Sequence, residues 1–174
     1  MSNFKEEVIS WIKTIVFAII VALFINNFII VNAEVPTGSM GNTIMPKDRI
    51  IALRFSYLFE DPQRGDIVVF PFPDDEKTLY IKRIIGIEGD TIEIKNGVLY
   101  LNGEAQQEDY IKEEMYDWAS WGPYTVPENS YFMMGDNRNC SADSRYWNNT
   151  YLKKENILGK AFLKYYPSIE FIGE

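Results

Sequence analysis

The chain has 174 residues, 47% hydrophobic and 15% aromatic, enough to fill one packed core with an appendage, which excludes a disordered chain. A formal net charge of −8 argues against a nucleic-acid partner, which needs clustered Lys and Arg. There is no histidine and one cysteine, Cys140, so Ser-His-Asp triads, Cys-His dyads, His-ligated zinc and intrachain disulfides are all excluded.

Proton transfer near neutral pH therefore falls to Lys, Asp, Glu, Tyr or the single Cys. The first element in the chain is apolar. Thr14 to Ala33 form a run of 20 residues without a charge, with Trp11 near its start. As a helix this run spans about 30 Å, the hydrocarbon thickness of a bilayer. A buried core helix and a cleavable signal peptide ending at Val31-Asn32-Ala33 compete with a permanent anchor. The stretch is longer than the usual signal-peptide core, and Glu6 and Glu7 flank it beside Lys5. The expectation is an uncleaved transmembrane signal-anchor helix at 14–33, a cytoplasmic segment at 1–13, and an extracytoplasmic domain at 34–174. Lys5 and Lys13 encode that orientation weakly.

After Ala33 the helical period disappears, and short β-rich runs follow, bounded by Gly, Pro, Asn and Asp. They are Asp48–Leu53, Asp66–Phe70, Leu79–Ile87, Thr91–Lys95, Val98–Leu101, Tyr131–Met134 and Lys160–Tyr166. Asn96-Gly97 tolerates the positive φ of a tight turn and predicts a hairpin. The fold class expected is mainly β, an antiparallel sheet or barrel behind one N-terminal helix. The charge-rich stretch at about 88–129 reads as a smaller inserted subdomain.

Three segments carry candidate chemistry. In Pro36-Thr37-Gly38-Ser39-Met40-Gly41 a serine stands between glycines just past the anchor, although such a serine is commonly a turn residue. It is not a nucleophile elbow, because Thr37 occupies the position that motif gives to glycine. In Leu79-Tyr80-Ile81-Lys82-Arg83-Ile84-Ile85 alternation puts Tyr80, Lys82 and Ile84 on one face. An edge strand with an outward lysine is the bland reading. A buried Lys82 would instead lose pKa to desolvation and become a base. Gly135-Asp136-Asn137-Arg138-Asn139-Cys140-Ser141-Ala142-Asp143-Ser144-Arg145 is a dense polar loop. Arg138 breaks the calcium-loop pattern there. Cys140 has no histidine to activate it and reads as a small filler.

Taken in order, these segments and Arg64-Gly65-Asp66-Ile67-Val68-Val69-Phe70 resemble the boxes of bacterial type I signal peptidases, in a short Gram-positive form. The resemblance implies Ser39 as nucleophile, Lys82 as general base, and Thr37 with the Ser39 N–H as oxyanion hole. It implies Ser141 as the residue that orients the base, and Asp136, Arg138, Asp143, Arg145 and Arg83 as structural support. No cofactor or metal is implied. The substrates implied are secretory preproteins with small residues at the −1 and −3 positions, cut at the outer face of the cell membrane. Met40, Ile44 and Met45 would dip into lipid. The family usually has proline where Asn42 stands, so a looser Ser39 loop is expected. Cys140 also stands where that family often has Asn.

Two other readings stay open at this level. One is a tethered β-domain that binds a partner without activity. The other is a Ser-Lys autoprotease of the repressor type, against which the anchor and the acidic charge speak. The sequons at Asn139 and Asn148 carry no weight in a bacterial protein.

Overall fold

The computed structural model describes residues 2–173. Helix α1 (Ser2–Phe24) runs into a single π-helical turn (Ile25–Ile29). Every side chain from Phe4 to Phe28 is exposed, so this apolar surface finds no protein partner among the described residues. Phe4–Ile29 is long and apolar enough to cross a membrane.

The helix expected at 14–33 has other bounds at both ends. Residues 2–13 are already helical, and helical structure stops at Ile29. Ile30–Glu34 is instead strand β1, antiparallel to β2 (Arg49–Leu53) in the register Ile30 opposite Leu53 and Glu34 opposite Arg49. From Ile30 the side chains alternate: Val31 and Ala33 enter the core, while Asn32 and Glu34 face outward. A helix continued through Ala33 would strip those two residues from the core and leave the β2 edge unpaired. Val31-Asn32-Ala33 therefore lies inside a hydrogen-bonded ladder.

The main sheet continues with β3 (Ile67–Pro71), β4 (Leu79–Gly86), β9 (Ser130–Met134), β10 (Leu152–Lys153), β11 (Gly159–Tyr166) and β12 (Glu170–Phe171). Its order is β1-β2-β11-β3-β4-β9-β10, with β12 paired to β11, and every pairing is antiparallel. Between β4 and β9 the chain builds a second, four-stranded sheet from β5 (Thr91–Lys95), β6 (Val98–Leu101), β7 (Glu104–Ala105) and β8 (Trp121–Thr125), in the order β7-β6-β5-β8. The β5–β6 hairpin turns at Asn96 and Gly97, both at positive φ. One apolar cluster joins the two sheets, with Ile92 and Ile94 of β5 packed against Ile85, Phe132 and Met134. Gly86 permits that approach, because a Cβ there would sit 2.6 Å from the Ile92 side chain. A further cluster gathers Val31, Met40, Ile44, Ile50 and Val69 under the start of the domain.

Candidate active site

Ser39 sits on the connection between β1 and β2, which is pinned on both sides. Behind the serine, Val35 N–H donates to Asp48 O (2.9 Å) and Lys47 N–H to Val35 O (2.8 Å). Ahead of it the chain closes a turn, with Gly41 N–H on Gly38 O (3.0 Å) and Ile44 N–H on Met40 O (2.9 Å). Met40 and Ile44 are buried and anchor the turn to the core, so of the three residues expected to dip into lipid only Met45 is exposed. Asn137 clamps the serine itself: its Nδ2 donates to Gly38 O and its N–H to Ser39 O, both at 3.0 Å. Gly135 passes directly behind, where a Cβ would lie 2.3 Å from Ser39 O.

Asn42 does not loosen this loop. It stands at φ 91°, a left-handed conformation that asparagine tolerates and that proline, locked near −65°, does not reach. Asn42→Pro, which would restore the residue usual in the family, is therefore expected to destabilise the protein by more than about 1 kcal/mol. Asn42→Gly is expected to be neutral or mildly stabilising. Thermal melts of the two variants check this.

Lys82 approaches from β4. The bland reading of an outward lysine fails, because β4 lies between β3 and β9 and the residue is 3% exposed. Pairing with β3 covers Leu79 to Arg83, but pairing with β9 begins only at Arg83. Lys82 thus stands at the last position where one side of β4 is open, and Ser39 faces it there. Lys82 Nζ donates to Ser39 Oγ at 2.6 Å and to Ile81 O at 3.1 Å. Desolvation pushes its pKa down to about 8 from an ordinary value near 10.5, against the opposing pull of the Asp143 and Asp136 carboxylates. Once that proton is gone, the same contact lets the Ser39 hydroxyl donate to Nζ. Thr37 Oγ1 lies 3.4 Å from Ser39 Oγ, and the Ser39 N–H donates to no group among the described residues.

The bond expected from Ser141 to the base is absent. The buried Ser141 Oγ has no hydrogen-bond partner among the described residues. Ser141 packs instead against Gly135, where a Cβ would come within 2.4 Å of its hydroxyl. The Lys82 ammonium already finds its acceptors in Ser39 and Ile81.

The charged residues form two pairs behind the dyad. Arg83 grips Asp136 with Nε (2.8 Å) and Nη2 (2.7 Å), and Asp136 also accepts from Thr43 Oγ1 at 2.6 Å, which ties the Ser39 loop to β4. Arg145 grips Asp143 in the same two-pronged way, at 2.8 Å for each contact. Asp143 in turn accepts Gly135 N–H at 3.1 Å. Arg138 is fully buried and pairs not with an aspartate of its own loop but with Glu108. Tyr110 lies between the two cations, its ring centroid 3.9 Å from the Arg83 guanidinium and 5.8 Å from that of Arg138. Sequence reading missed Glu108 and Tyr110. They lie in an irregular charge-rich stretch whose spacing encodes no contact with a loop 30 residues away in sequence.

A cleft of about 430 Å³ opens on Ser39 and Lys82. Its walls are mostly apolar, from Ala33, Val35, Pro36, Leu79 and Ile81, with Cys140 and Ala142 also lining it. Cys140 is exposed, so it is a cleft residue rather than a buried filler.

Comparison with known proteins gives a consistent result. The sequence profile of the family described as signal peptidase, peptidase S26, matches residues 8–166. A probable signal peptidase I-2 from Synechocystis shares 40% identity over 161 residues, 89% of this chain and 72% of that protein. Signal peptidase I S of Bacillus subtilis shares 39% over 173 residues, 94% of this chain and 91% of its own. A crystal structure of a signal peptidase I from Enterococcus faecalis superposes with a TM-score of 0.50 at 36% identity, covering 58% of this chain and 97% of that one.

Proposed function

The chain belongs to the peptidase S26 signal peptidase family, and on that premise we propose that it uses Ser39 as nucleophile and Lys82 as general base. Its activity is that of a membrane serine endopeptidase that removes signal peptides. The observation that carries the assignment of roles is the 2.6 Å contact between Ser39 Oγ and a buried lysine amine.

Neutral Lys82 takes the proton of Ser39 as Oγ attacks the scissile carbonyl carbon. The Ser39 N–H and the Thr37 hydroxyl donate to the oxyanion, each donor worth about 3 kcal/mol in the transition state. The tetrahedral intermediate collapses, the C–N bond breaks, and Lys82 returns the proton to the leaving amine. Lys82 then draws a proton from water, which attacks the acyl-enzyme, and Ser39 is restored. Asp136 and Asp143, held by Arg83 and Arg145, keep the Lys82 pKa from falling further and fix the loops that carry the dyad.

The cleft favours an extended substrate. β1 has a partner only on its β2 side, and Leu79–Lys82 of β4 only on their β3 side. A peptide laid between these open edges can add main-chain hydrogen bonds, while its alternate side chains enter the apolar pocket. Small residues at −1 and −3 fit such close walls. With α1 as a single span, N-terminus cytoplasmic, the site would meet preproteins at the outer face of the cell membrane, at raised effective concentration.

Purified full-length protein in lipid vesicles should cut a preprotein once, and Ser39→Ala should abolish the cut while leaving the melting curve intact. An inactive wild type against several preproteins, or an active Ser39→Ala variant, would refute the assignment. The pH profile of kcat/KM reports the free enzyme. Because the active base is the deprotonated amine, activity should rise with pH, with an acid limb near the Lys82 value of about 8. A limb near 10.5, the ordinary lysine value, would rule out the buried base.

A further inference from the structure

Residues 106–120 leave the second sheet after β7 and return to it at β8, and on the way they run along the loop that follows β9. Lys112 N–H donates to Asp136 O at 3.0 Å, Asn139 Nδ2 to Glu114 O at 2.9 Å and Tyr116 N–H to Asn139 Oδ1 at 3.2 Å. That same loop supports Ser39 from behind, through Gly135 and Asn137. Two side chains of the segment reach further in. Glu108 accepts from both terminal nitrogens of Arg138, and the Glu108 and Arg138 side chains are 7% and 0% exposed, so water cannot stand in for either. Tyr110 lays its ring on the Arg83 guanidinium and donates its hydroxyl to Glu108. Burial and the Glu108 charge push the Tyr110 pKa up, so the hydroxyl keeps its proton and remains a donor.

From each residue a short chain of contacts leads to the nucleophile. Arg138, held by Glu108, donates Nε to Gly135 O at 3.1 Å, and Gly135 lies directly behind Ser39 O. Arg83, covered by Tyr110, grips Asp136, which accepts from Thr43 of the Ser39 loop. Neither Glu108 nor Tyr110 lines the cleft. We propose that Glu108 and Tyr110 are positioning residues of the reaction, which fix Arg138 and Arg83 and through them set where Ser39 Oγ stands against Lys82 Nζ. This rests on the reading of Ser39 and Lys82 as the dyad. Both residues come from a connection of the second sheet, so that sheet takes part in holding the site in shape. A misplacement of about 1 Å between reacting groups costs up to roughly a hundredfold in rate, which is the lever these two residues control.

The test measures kcat and KM of full-length protein in nanodiscs on a short soluble peptide carrying a preprotein cleavage sequence. Glu108→Gln keeps the shape of the side chain and removes its charge, and kcat is expected to fall by about tenfold to a hundredfold with KM unchanged. This variant should also melt lower, because Arg138 is left buried without its counter-charge. The double variant Glu108→Gln, Arg138→Met separates the two effects. It removes both buried charges, so its melting temperature should recover toward wild type, whereas kcat should stay low because Gly135 O still lacks the Arg138 donor. Tyr110→Leu takes the ring off Arg83, leaves no buried charge unpaired, and should lose about tenfold in kcat with KM unchanged. Glu113→Gln, the same charge change at an exposed position of the segment, should match wild type. Recovery of kcat together with stability in the double variant would reduce Glu108 to a partner that only stabilises the fold and would overturn the proposal. Wild-type kcat in Glu108→Gln and Tyr110→Leu, a rise in KM that accounts for the whole loss, or an equal loss in Glu113→Gln would overturn it as well, and each would leave the dyad standing. A Ser39→Ala variant that still cuts the peptide would overturn the dyad and the positioning role together.

Discussion

Lys82→Met is expected to abolish cleavage and at the same time make the protein more stable below pH 8. Loss of the base should cost at least about a thousandfold in kcat, the scale seen when one member of a catalytic unit is removed. The stability gain follows from linkage. The folded Lys82 titrates near 8 and the unfolded one near 10.5, so between these values the unfolded state binds more protons. Stability therefore rises with pH across that window, and below it the fold carries a constant penalty of roughly 3 kcal/mol for housing a charge in a desolvated strand. Methionine fills a similar volume without charge and removes the penalty, minus the lost bonds to Ser39 and Ile81. A net gain of about 1–3 kcal/mol at pH 6.5 is expected, shrinking toward zero at pH 10. Denaturant melts at the two pH values measure it. Equal stability of variant and wild type at pH 6.5 would show that burial does not strain the lysine. Ser39→Ala should lose activity equally and leave this pH dependence intact.

Asp143→Ala is expected to destabilise the protein by about 3–5 kcal/mol, because it leaves the Arg145 guanidinium buried without its counter-charge. Arg145 and Asp143 are both nearly inaccessible, so water does not replace the lost partner. That cost approaches the whole stability of a small domain. Asp143→Asn is the more informative change. It keeps the shape and one acceptor oxygen but removes the charge that most strongly holds the Lys82 pKa up. The acid limb of kcat/KM should move below 8 in this variant, provided it folds, as circular dichroism will show. A limb that stays in place or moves upward would mean that Asp143 acts on Lys82 only through packing.

Several elements were legible along the chain because their cause is local. Short β-rich runs bounded by turn residues marked β2, β3, β4 and β11, and the Asn96-Gly97 pair marked the β5–β6 hairpin, since both signals arise from a few neighbouring residues. β1 was not legible. Ile30 and Val31 continue the apolar run of the anchor, and only pairing with Leu53 and Ala52 of β2 turns helix into strand there. β8 was hidden by Gly122-Pro123, a pair that argues against a strand. It is tolerated because β8 is an edge strand paired only with β5, and the register shifts between Tyr124 and Trp121, so Gly122-Pro123 falls in a bulge of the ladder. Ser141 and Glu108 show the same limit at the site. The bond expected of Ser141 is missing and the bond of Glu108 to Arg138 was unforeseen, because both depend on how separate loops meet.

By itself the sequence determined which chemistry was available. Without histidine, and with a lone cysteine, proton transfer was left to Lys, Asp, Glu, Tyr or Cys140, the resemblance pointed to Lys82 among them, and the apolar N-terminus pointed to a membrane. Composition and local pattern carry such facts because each is a property of residue types and near neighbours. Only the tertiary structure decided the surroundings of Lys82, the residue proposed as base. Its pKa falls because β4 is enclosed by β3 and β9, because Ser39 is turned toward the one open stretch of that strand, and because Asp143 and Asp136 stop the fall near 8. Desolvation and charge at a point are sums over everything packed around it, and those neighbours come from distant parts of the chain.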